Sequence, residues 1–406
     1  MLWALWCHNP SIILPLQHLT ARIYINMDTI IPRYLTDKIQ TTLKPQRVIG
    51  LFGARRTGKT KIMEIIKAKI ESEKGSKVLF VQGDNLDVAE VLSSRKISVL
   101  KDFLKNYNFL FIDEAQKVPH IGDSLKLIVD SIKNIKIFIS GSSSLDLKQK
   151  VGEPLTGRSV YFYLYPIAQM ELNEDYLKAK QNLDKRLIFG SYPQVITART
   201  NKERMETLKS IRDGYLLRDV LELDNLKDSL FILNLLRLIA FQIGNDISYS
   251  ELASNLNVNK KTVMRYLNIL EKCYILFSLY GFSRNLRKEY SKTPRYFFWD
   301  NGIRNILIAN FNPLHIRNDV GKLWENYCIA ERIKKTEYSG ALVNRYFWRT
   351  YDQKEIDLIE EKSGKLNGYE FKWKETKASR PKDFLDAYHS SKFDVINREN
   401  YLDFIS

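Results

Sequence analysis

A short loop with two glycines constrains the fold of this chain more than any other segment. Residues 53–60 read GARRTGKT, with an apolar run at 47–52 before them and helical periodicity at 59–73 after them. The glycines permit backbone conformations closed to other residues, so that successive N–H groups and a helix N-terminus can surround phosphates. This is the pattern of a P-loop, and its position between a strand and a helix is the one the mechanism requires.

Strands and helices alternate around this loop. Apolar runs predict strands at residues 47–52, 77–82, 109–112, 135–140 and 160–165, and helical periodicity predicts helices at 30–43, 59–73, 86–92 and 123–131. Alternation at this spacing indicates an α/β fold in which a parallel sheet has helices on both faces. We place this P-loop core at residues 27–166.

The second half of a nucleotide site lies at residues 109–114, which read FLFIDE and bring two acids to a strand end. We expect Lys59 to reach the β- and γ-phosphates of ATP, and Thr60 and Asp113 to hold Mg²⁺. Glu114 and Lys59 are the candidate catalytic residues of this site, and Glu114 orients or polarises the attacking water. The predicted nucleotide-binding residues are Gly53, Ala54, Arg55, Arg56, Thr57, Gly58, Lys59, Thr60, Asp113 and Ser142.

Several roles at this site have an alternative. A nucleotide-binding switch with very slow turnover is the alternative to hydrolysis. Ser142, after the strand at 135–140, either senses the γ-phosphate or belongs to a turn that caps the next helix. Arg55 and Arg56 add positive charge to the loop or face a neighbour or nucleic acid. Arg158 either stabilises transition-state charge, in its own subunit or the next, or is an ordinary surface arginine.

A helix-turn-helix pattern occupies residues 250–272. The side chains expected near the outward start of its second helix are Lys260, Lys261, Thr262, Arg265 and Tyr266. Residues 260–295 contain nine Lys and Arg against two Glu, in a chain of formal net charge +16. Phosphates favour such clustering through counterion release, so we expect DNA contact here, with packing between domains or subunits as the alternative.

Four side chains near the C-terminus form a candidate metal site. Asp357 and Glu370 lie on two predicted neighbouring strands and offer the hard oxygen ligands that suit Mg²⁺. Glu325, on a predicted helix, completes or supports the ligand shell, and Lys372 orients a hydrolytic water or balances the leaving charge. Asp357, Glu370 and Lys372 are therefore candidate catalytic residues, and their order resembles the core of PD-(D/E)xK nucleases. Alternating charge on an exposed strand face is the alternative.

The chain resembles prokaryotic AAA-type P-loop ATPases that carry a C-terminal domain of unknown function with a restriction-endonuclease-like look. The resemblance covers nearly everything after Met27. It is carried by GARRTGKT at 53–60, FIDEAQ at 111–116, ISGSSS at 139–144, LTGR at 155–158, GSYP at 190–193 and YLLRD at 215–219. It implies an ATPase domain, a winged helix and a nuclease-like C-terminal domain. Ser191 stands at a position where such proteins often have a second glycine.

These observations predict an uncertain leader followed by four parts. The parts are a P-loop AAA-type ATPase core at 27–166, a helical lid at 167–244, a winged helix-turn-helix at 245–300 and an α+β restriction-endonuclease-like domain at 301–406. The leader is residues 1–26, with Met27 as our preferred start.

The expected partner is nucleic acid, with DNA favoured. We expect no stable membrane association and leave a homo-oligomer open. Three widely spaced cysteines, Cys7, Cys273 and Cys328, fit a reducing, cytoplasmic compartment.

Overall fold

The structure is a computed structural model that describes residues 30–142, 155–216, 229–282, 294–350, 354–375, 381–389 and 391–406. Contacts divide the chain into residues 1–30 and residues 31–406, and every element below belongs to the second unit. The predicted leader at residues 1–26 and the basic side chains expected between residues 283 and 293 lie outside the described residues. No helix among the described residues is long and apolar enough to span a membrane.

A five-stranded sheet forms the first half of the fold. Its strands are β1 (Val48–Phe52), β2 (Val78–Gln82), β3 (Phe109–Asp113), β4 (Lys136–Gly141) and β5 (Ser159–Tyr163). Their order is β2-β3-β4-β1-β5, and every neighbouring pair is parallel. Both β1 and β3 are buried along their whole length, as strands covered on both faces should be. The predicted α/β fold with a parallel sheet is confirmed.

Helices connect these strands. They are α1 (Leu35–Thr42), α2 (Lys59–Glu71), α3 (Leu86–Ser93), α4 (Ile97–Leu104) and α5 (Ile121–Ser131). Helix α2 buries Ile62, Ile66 and Ile70, which recur at helical spacing and face the sheet core. Helix α4 is the one that the sequence does not predict. It is only eight residues long, and Lys96 at its N-cap makes no side-chain capping hydrogen bond, so its start carries no signal.

Helices follow in the region predicted as a lid. They are α6 (Tyr176–Phe189), α7 (Pro193–Thr197), α8 (Asn201–Ile211) and α9 (Ser229–Phe241). The side chain of Asp175 caps α6 by accepting from the backbone N–H of Lys178. Thr200 and Glu203 form a capping box at the start of α8. A lid function for these helices stays a prediction.

Two helices occupy the predicted helix-turn-helix, α10 (Tyr249–Asn255) and α11 (Lys260–Lys272). The side chain of Asn259 caps α11 by accepting from Thr262 N. Two antiparallel strands follow, β6 (Leu276–Gly281) and β7 (Arg295–Phe298). The assignment of this region as a winged helix stays a prediction.

A second sheet of six strands extends from this region to the C-terminus. Its further strands are β8 (Asn344–Arg349), β9 (Glu355–Lys362), β10 (Lys365–Phe371) and β11 (Lys392–Ile396), in the order β11-β10-β9-β8-β6-β7. Its helices are α12 (Asn301–Leu307), α13 (Val320–Ser339), α14 (Lys382–Ala387) and α15 (Tyr401–Ile405). Because β6 pairs with β8 through Tyr280 and Tyr346, one sheet runs across the predicted border at residue 300. The domain borders themselves stay a prediction.

Candidate functional site

The P-loop follows β1 directly, and α2 begins at Lys59. Gly53 has φ 152°, and a Cβ placed there would lie 2.1 Å from the carbonyl oxygen of Leu164. Gly58 has φ 100°, a value that residues with a side chain rarely adopt. The two glycines therefore fix the loop by close approach and by backbone conformation, as the motif predicts.

Polar groups of the loop are held inside it. Lys59 is 5% exposed, and its Nζ donates to the carbonyl oxygens of Gly53 at 2.9 Å and Ala54 at 3.0 Å. Thr57 Oγ1 donates to Ala54 O at 2.8 Å. The lysine ammonium is thus held by carbonyl groups of the loop itself, and its predicted contact with phosphates stays a prediction.

The predicted Mg²⁺ ligands lie together. Thr60 Oγ1 donates to Asp113 Oδ2 at 2.6 Å, although the two residues come from α2 and from the end of β3. A hydroxyl and a carboxylate at this distance are ligands that a hard divalent cation accepts. Ser140, which the sequence interpretation overlooks, hydrogen-bonds Asp113 from the neighbouring strand β4 and accepts from Glu114 N at 3.2 Å.

Glu114 lies next to the loop in a left-handed backbone conformation, with φ 52°. Gln116 Nε2 donates to Glu114 Oε2 at 2.5 Å and to Ser142 Oγ at 3.1 Å. The predicted catalytic acid and the predicted γ-phosphate sensor are therefore joined by one amide. Gln116 belongs to the FIDEAQ motif, but the motif alone indicates no role for it, although it follows the two acids closely in the sequence.

Arg158 lies at the end of the sheet opposite to the P-loop. It precedes β5, and its backbone carbonyl accepts from Val48 N at the start of β1, whereas the P-loop follows the end of β1. The strand between them spans about 16 Å, beyond the reach of one side chain. A role at the nucleotide of its own subunit is therefore wrong. The exposed Arg158 side chain is paired with Asp130.

Of the four predicted C-terminal residues, Glu325 lies on α13, Asp357 on β9 and Glu370 on β10, and Lys372 directly follows β10. Asp357 Oδ2 accepts from Phe371 N at 2.8 Å, which ties β9 to the end of β10. Glu370 Oε1 and Lys372 Nζ form an ion pair at 2.6 Å, so they share the predicted face. Glu325 is 5% exposed on α13, and Lys322 Nζ binds its Oε2 at 3.0 Å.

Burial and mutual repulsion shift the pKa values at this site. Burial, with the charge of Asp357 as a second cause, raises the pKa of Glu325 to about 8. Burial, with the charge of Glu370 as a weaker cause, raises the pKa of Asp357 to about 6. Burial lowers the pKa of Lys372, but its hydrogen bond to Glu370 outweighs this and leaves the pKa raised. The three carboxylates therefore share one electrostatic environment.

The fit of a metal ion to these carboxylates is incomplete. Among the residues that the structure describes, no three His, Cys, Asp or Glu side chains converge closely enough to hold one. Glu325 Oε1 is buried and has no hydrogen-bond partner. Such an orphaned acceptor is costly and suits a cation ligand. Of the three carboxylates predicted as ligands here, Glu325 is therefore the one for which the described part of the chain shows a missing partner.

Two side chains that we expect to contact DNA are buried in the structure. Tyr266 is buried, with its ring edge-on to Phe231 at 4.5 Å between centroids. Arg295 is buried and bridges Asp246 and Glu355 at 2.8 Å each, so it belongs to the core. Both expectations are wrong because each side chain finds partners distant in sequence. Lys260, Lys261 and Arg265 are exposed, as predicted.

Comparison with known proteins finds relatives of low identity. The chain is 25% identical over 343 residues to an uncharacterized protein of Mycobacterium tuberculosis, covering 82% of this chain and 72% of that protein. It is 26% identical over 280 residues to an uncharacterized protein of Methanocaldococcus jannaschii, covering 63% of this chain and 61% of that protein.

Solved structures show only a remote likeness. The replication initiator DnaA bound to AMPPCP and single-stranded DNA has a TM-score of 0.27 and 15% identity, covering 60% of this chain and 91% of that chain. The ORC2 protein of Aeropyrum pernix in its ADP form has a TM-score of 0.32 and 14% identity, covering 68% and 91%. Scores this low support no statement about activity or partners.

Three protein-family models match successive parts of the chain. Residues 180–314 match a domain of unknown function (DUF8612), and residues 320–401 match another (DUF4143). Neither description names an activity, so the restriction-endonuclease-like assignment stays a prediction. Residues 45–173 match the model described as AAA domain, in the stretch that contains the P-loop and both acids. The first part of this chain is therefore an AAA-type P-loop domain.

Proposed function

We propose that this protein binds and hydrolyses ATP with Mg²⁺, engages DNA through α11, and couples its nucleotide state to a nuclease-like C-terminal part. The observation that carries the ATPase proposal is the hydrogen bond between Thr60 and Asp113 at the mouth of the P-loop, with Glu114 adjacent. A fold with a P-loop alone supports binding, whereas this grouping supports hydrolysis.

Each residue has one task in this proposal. Backbone N–H groups of residues 53–60 and the ammonium of Lys59 bind phosphate oxygens. Thr60 and Asp113 would hold Mg²⁺, which supplies neutralisation of phosphate charge. Glu114 accepts a hydrogen bond from the attacking water and orients it, while Gln116 holds the Glu114 carboxylate in place.

Two variants test the ATPase proposal. Lys59→Ala should weaken ATP binding at least tenfold, because it removes the charge that the loop presents to the phosphates. Glu114→Gln should keep the ATP dissociation constant within about twofold but lower turnover about 100-fold or more, as loss of a general base does. Glu90→Gln, at an exposed glutamate of α3, is the matched control. Unchanged affinity and turnover in Lys59→Ala would contradict the proposal.

The DNA proposal is supported by the exposed basic side chains Lys260, Lys261 and Arg265 at the start of α11. Phosphate contacts of this kind give affinity without sequence preference.

We propose a cytoplasmic location as well, supported by Cys273 and Cys328, which are buried free thiols.

A second candidate is an ATP-dependent switch whose C-terminal part binds a partner without cutting it. The observation that favours it is the failure of three metal-ligating side chains to converge among the described residues.

Incubation with single- and double-stranded DNA and RNA, in Mg²⁺ and in Mn²⁺, separates the two candidates. Under the nuclease proposal, Asp357→Ala and Lys372→Ala lose cleavage, while Asp394→Ala, on the exposed face of β11, keeps it. Absence of cleavage of every substrate by the wild-type protein favours the switch.

A further inference from the structure

We propose that Arg33 and Tyr338 are positioning residues of the nucleotide site, so that helix α13, from the C-terminal part of the chain, sets the geometry of the P-loop. This inference rests on the proposed ATP binding. It adds that a residue near the C-terminal end of the chain helps to hold the nucleotide site in place. Neither residue belongs to the P-loop motif, and 305 positions separate them.

Arg33 is anchored behind the loop by three groups at once. Its Nη1 donates to Thr57 O at 2.5 Å, its Nη2 to Tyr165 O at 2.7 Å, and its Nε to Glu171 Oε1 at 3.0 Å. The side chain is 6% exposed, so water does not compete for these contacts. A planar guanidinium can satisfy such a divergent set of acceptors, whereas an ammonium cannot.

The contact with Thr57 bears directly on phosphate binding. The carbonyl of Thr57 and the N–H of Gly58 belong to one peptide group, and in a trans peptide the two point in opposite directions. By holding the carbonyl on one side, Arg33 fixes the Gly58 N–H on the other side, away from the guanidinium. Since P-loop N–H groups bind phosphates, Arg33 acts on the nucleotide through Gly58.

Tyr338 holds Arg33 from the last turn of α13. Its hydroxyl accepts from Arg33 Nη2 at 3.3 Å and from Tyr165 N at 3.1 Å, and the residue is 1% exposed. The ring stacks on Tyr34 at 5.9 Å, next to Arg33 in the chain. Helix α13 thus contacts both the arginine and the backbone that the arginine binds.

The same helix carries Glu325 about 20 Å away, toward its start. Between the two ends, Glu331 accepts from Gln169 N at 2.6 Å, and Tyr327 OH donates to Gln169 Oε1 at 3.2 Å. These contacts involve neither the P-loop nor Arg33, so the Tyr338 end of α13 is the part that we expect to act on ATP affinity, through Arg33. Glu325, one residue of the carboxylate site, lies on the same helix.

The test compares two tyrosines of α13. Tyr338→Phe removes the hydroxyl that holds Arg33, and Tyr327→Phe removes a buried hydroxyl of the same helix that does not reach the loop. We expect Tyr338→Phe to raise the ATP dissociation constant about three- to tenfold, the range of one lost hydrogen bond, with Tyr327→Phe within twofold of wild type. Melting temperatures of both variants separate this effect from a general loss of stability.

Kinetics supply a second readout. Since the Gly58 N–H contacts phosphate in the ground state and in the transition state alike, Tyr338→Phe should raise KM and leave kcat within twofold. Arg33→Lys, which keeps the charge but not the fork, should raise KM further.

Four results separate the inference from the proposed function. Wild-type affinity and KM in both Tyr338→Phe and Arg33→Lys would overturn the inference while ATP binding stands. Equal losses of affinity in Tyr327→Phe and Tyr338→Phe would also overturn it, since the effect would then be general. Loss of ATP binding in Lys59→Ala with normal binding in the wild type supports the proposed function alone. No ATP binding by the wild type would remove both.

Discussion

Replacing Glu325 by glutamine should remove a large part of the pH dependence of this protein's stability. The ordinary carboxyl pKa of 4.5 becomes about 8 at Glu325 in the folded protein, because of burial and then the charge of Asp357. Between pH 5.5 and 7.5 the unfolded chain has this group ionised, whereas the folded chain keeps it protonated. The folded state binds one more proton, so the free energy of unfolding falls as pH rises.

The expected size follows from the width of that window. Each pH unit costs about 1.4 kcal/mol, so Glu325 alone lowers the free energy of unfolding by roughly 2 to 3 kcal/mol between pH 5.5 and 7.5. Asp357, with its pKa raised from 3.8 to about 6, adds to the fall mainly below pH 6. Glutamine has the shape of the protonated carboxyl and does not titrate, so Glu325→Gln should lose the larger contribution.

Urea unfolding at pH 5.5, 6.5 and 7.5 with a chelator present measures this dependence. The matched control is Glu361→Gln, at a half-buried position of the neighbouring strand β9. The reasoning is refuted if wild type and Glu325→Gln lose the same stability over this range, within about 0.5 kcal/mol. That result would mean that Glu325 is already ionised at pH 5.5.

Two further predictions concern other parts of the fold. Gly302→Ala should cost about 1 to 3 kcal/mol of unfolding free energy, because a Cβ there would lie 2.0 Å from Phe189 O. Gly321→Ala, whose Cβ would meet nothing within 4 Å, should be neutral or slightly stabilising. Urea unfolding of both variants checks this prediction. If α11 binds DNA, Lys260→Ala with Lys261→Ala should reduce the slope of log affinity against log salt by about 1.8, and the exposed pair Lys202→Ala with Lys209→Ala should not. Equal slopes for both pairs would count against DNA contact at α11.

The P-loop core is the part that sequence reasoning predicts best. Strands β1 and β3 are buried on both faces and therefore read as continuous apolar runs. Its nucleotide residues lie within one motif or directly after one strand, so that Thr60 and Asp113 can be paired without knowing the fold. Local pattern and tertiary contact agree there.

The contacts that the sequence does not predict depend on the tertiary structure. Arg33 looks like an ordinary residue before a helix, and its partner Tyr338 lies 305 positions away. Arg295 reads as one more member of a basic cluster until Asp246 and Glu355 are placed beside it. Arg158 is the last residue of the LTGR motif, and only the parallel direction of β5 shows that it lies at the end of the sheet opposite to the P-loop. Such roles depend on which strands and helices become neighbours.

The pairing of β6 with β8 has a practical consequence for dividing this chain. A fragment that begins at residue 301 would contain β8 without β6, and would leave the backbone N–H and C=O groups of Tyr346 and Phe347 as an open edge. Open edges invite pairing with other chains and aggregation. A soluble C-terminal fragment should therefore start before Leu276, where the strand that covers this edge begins.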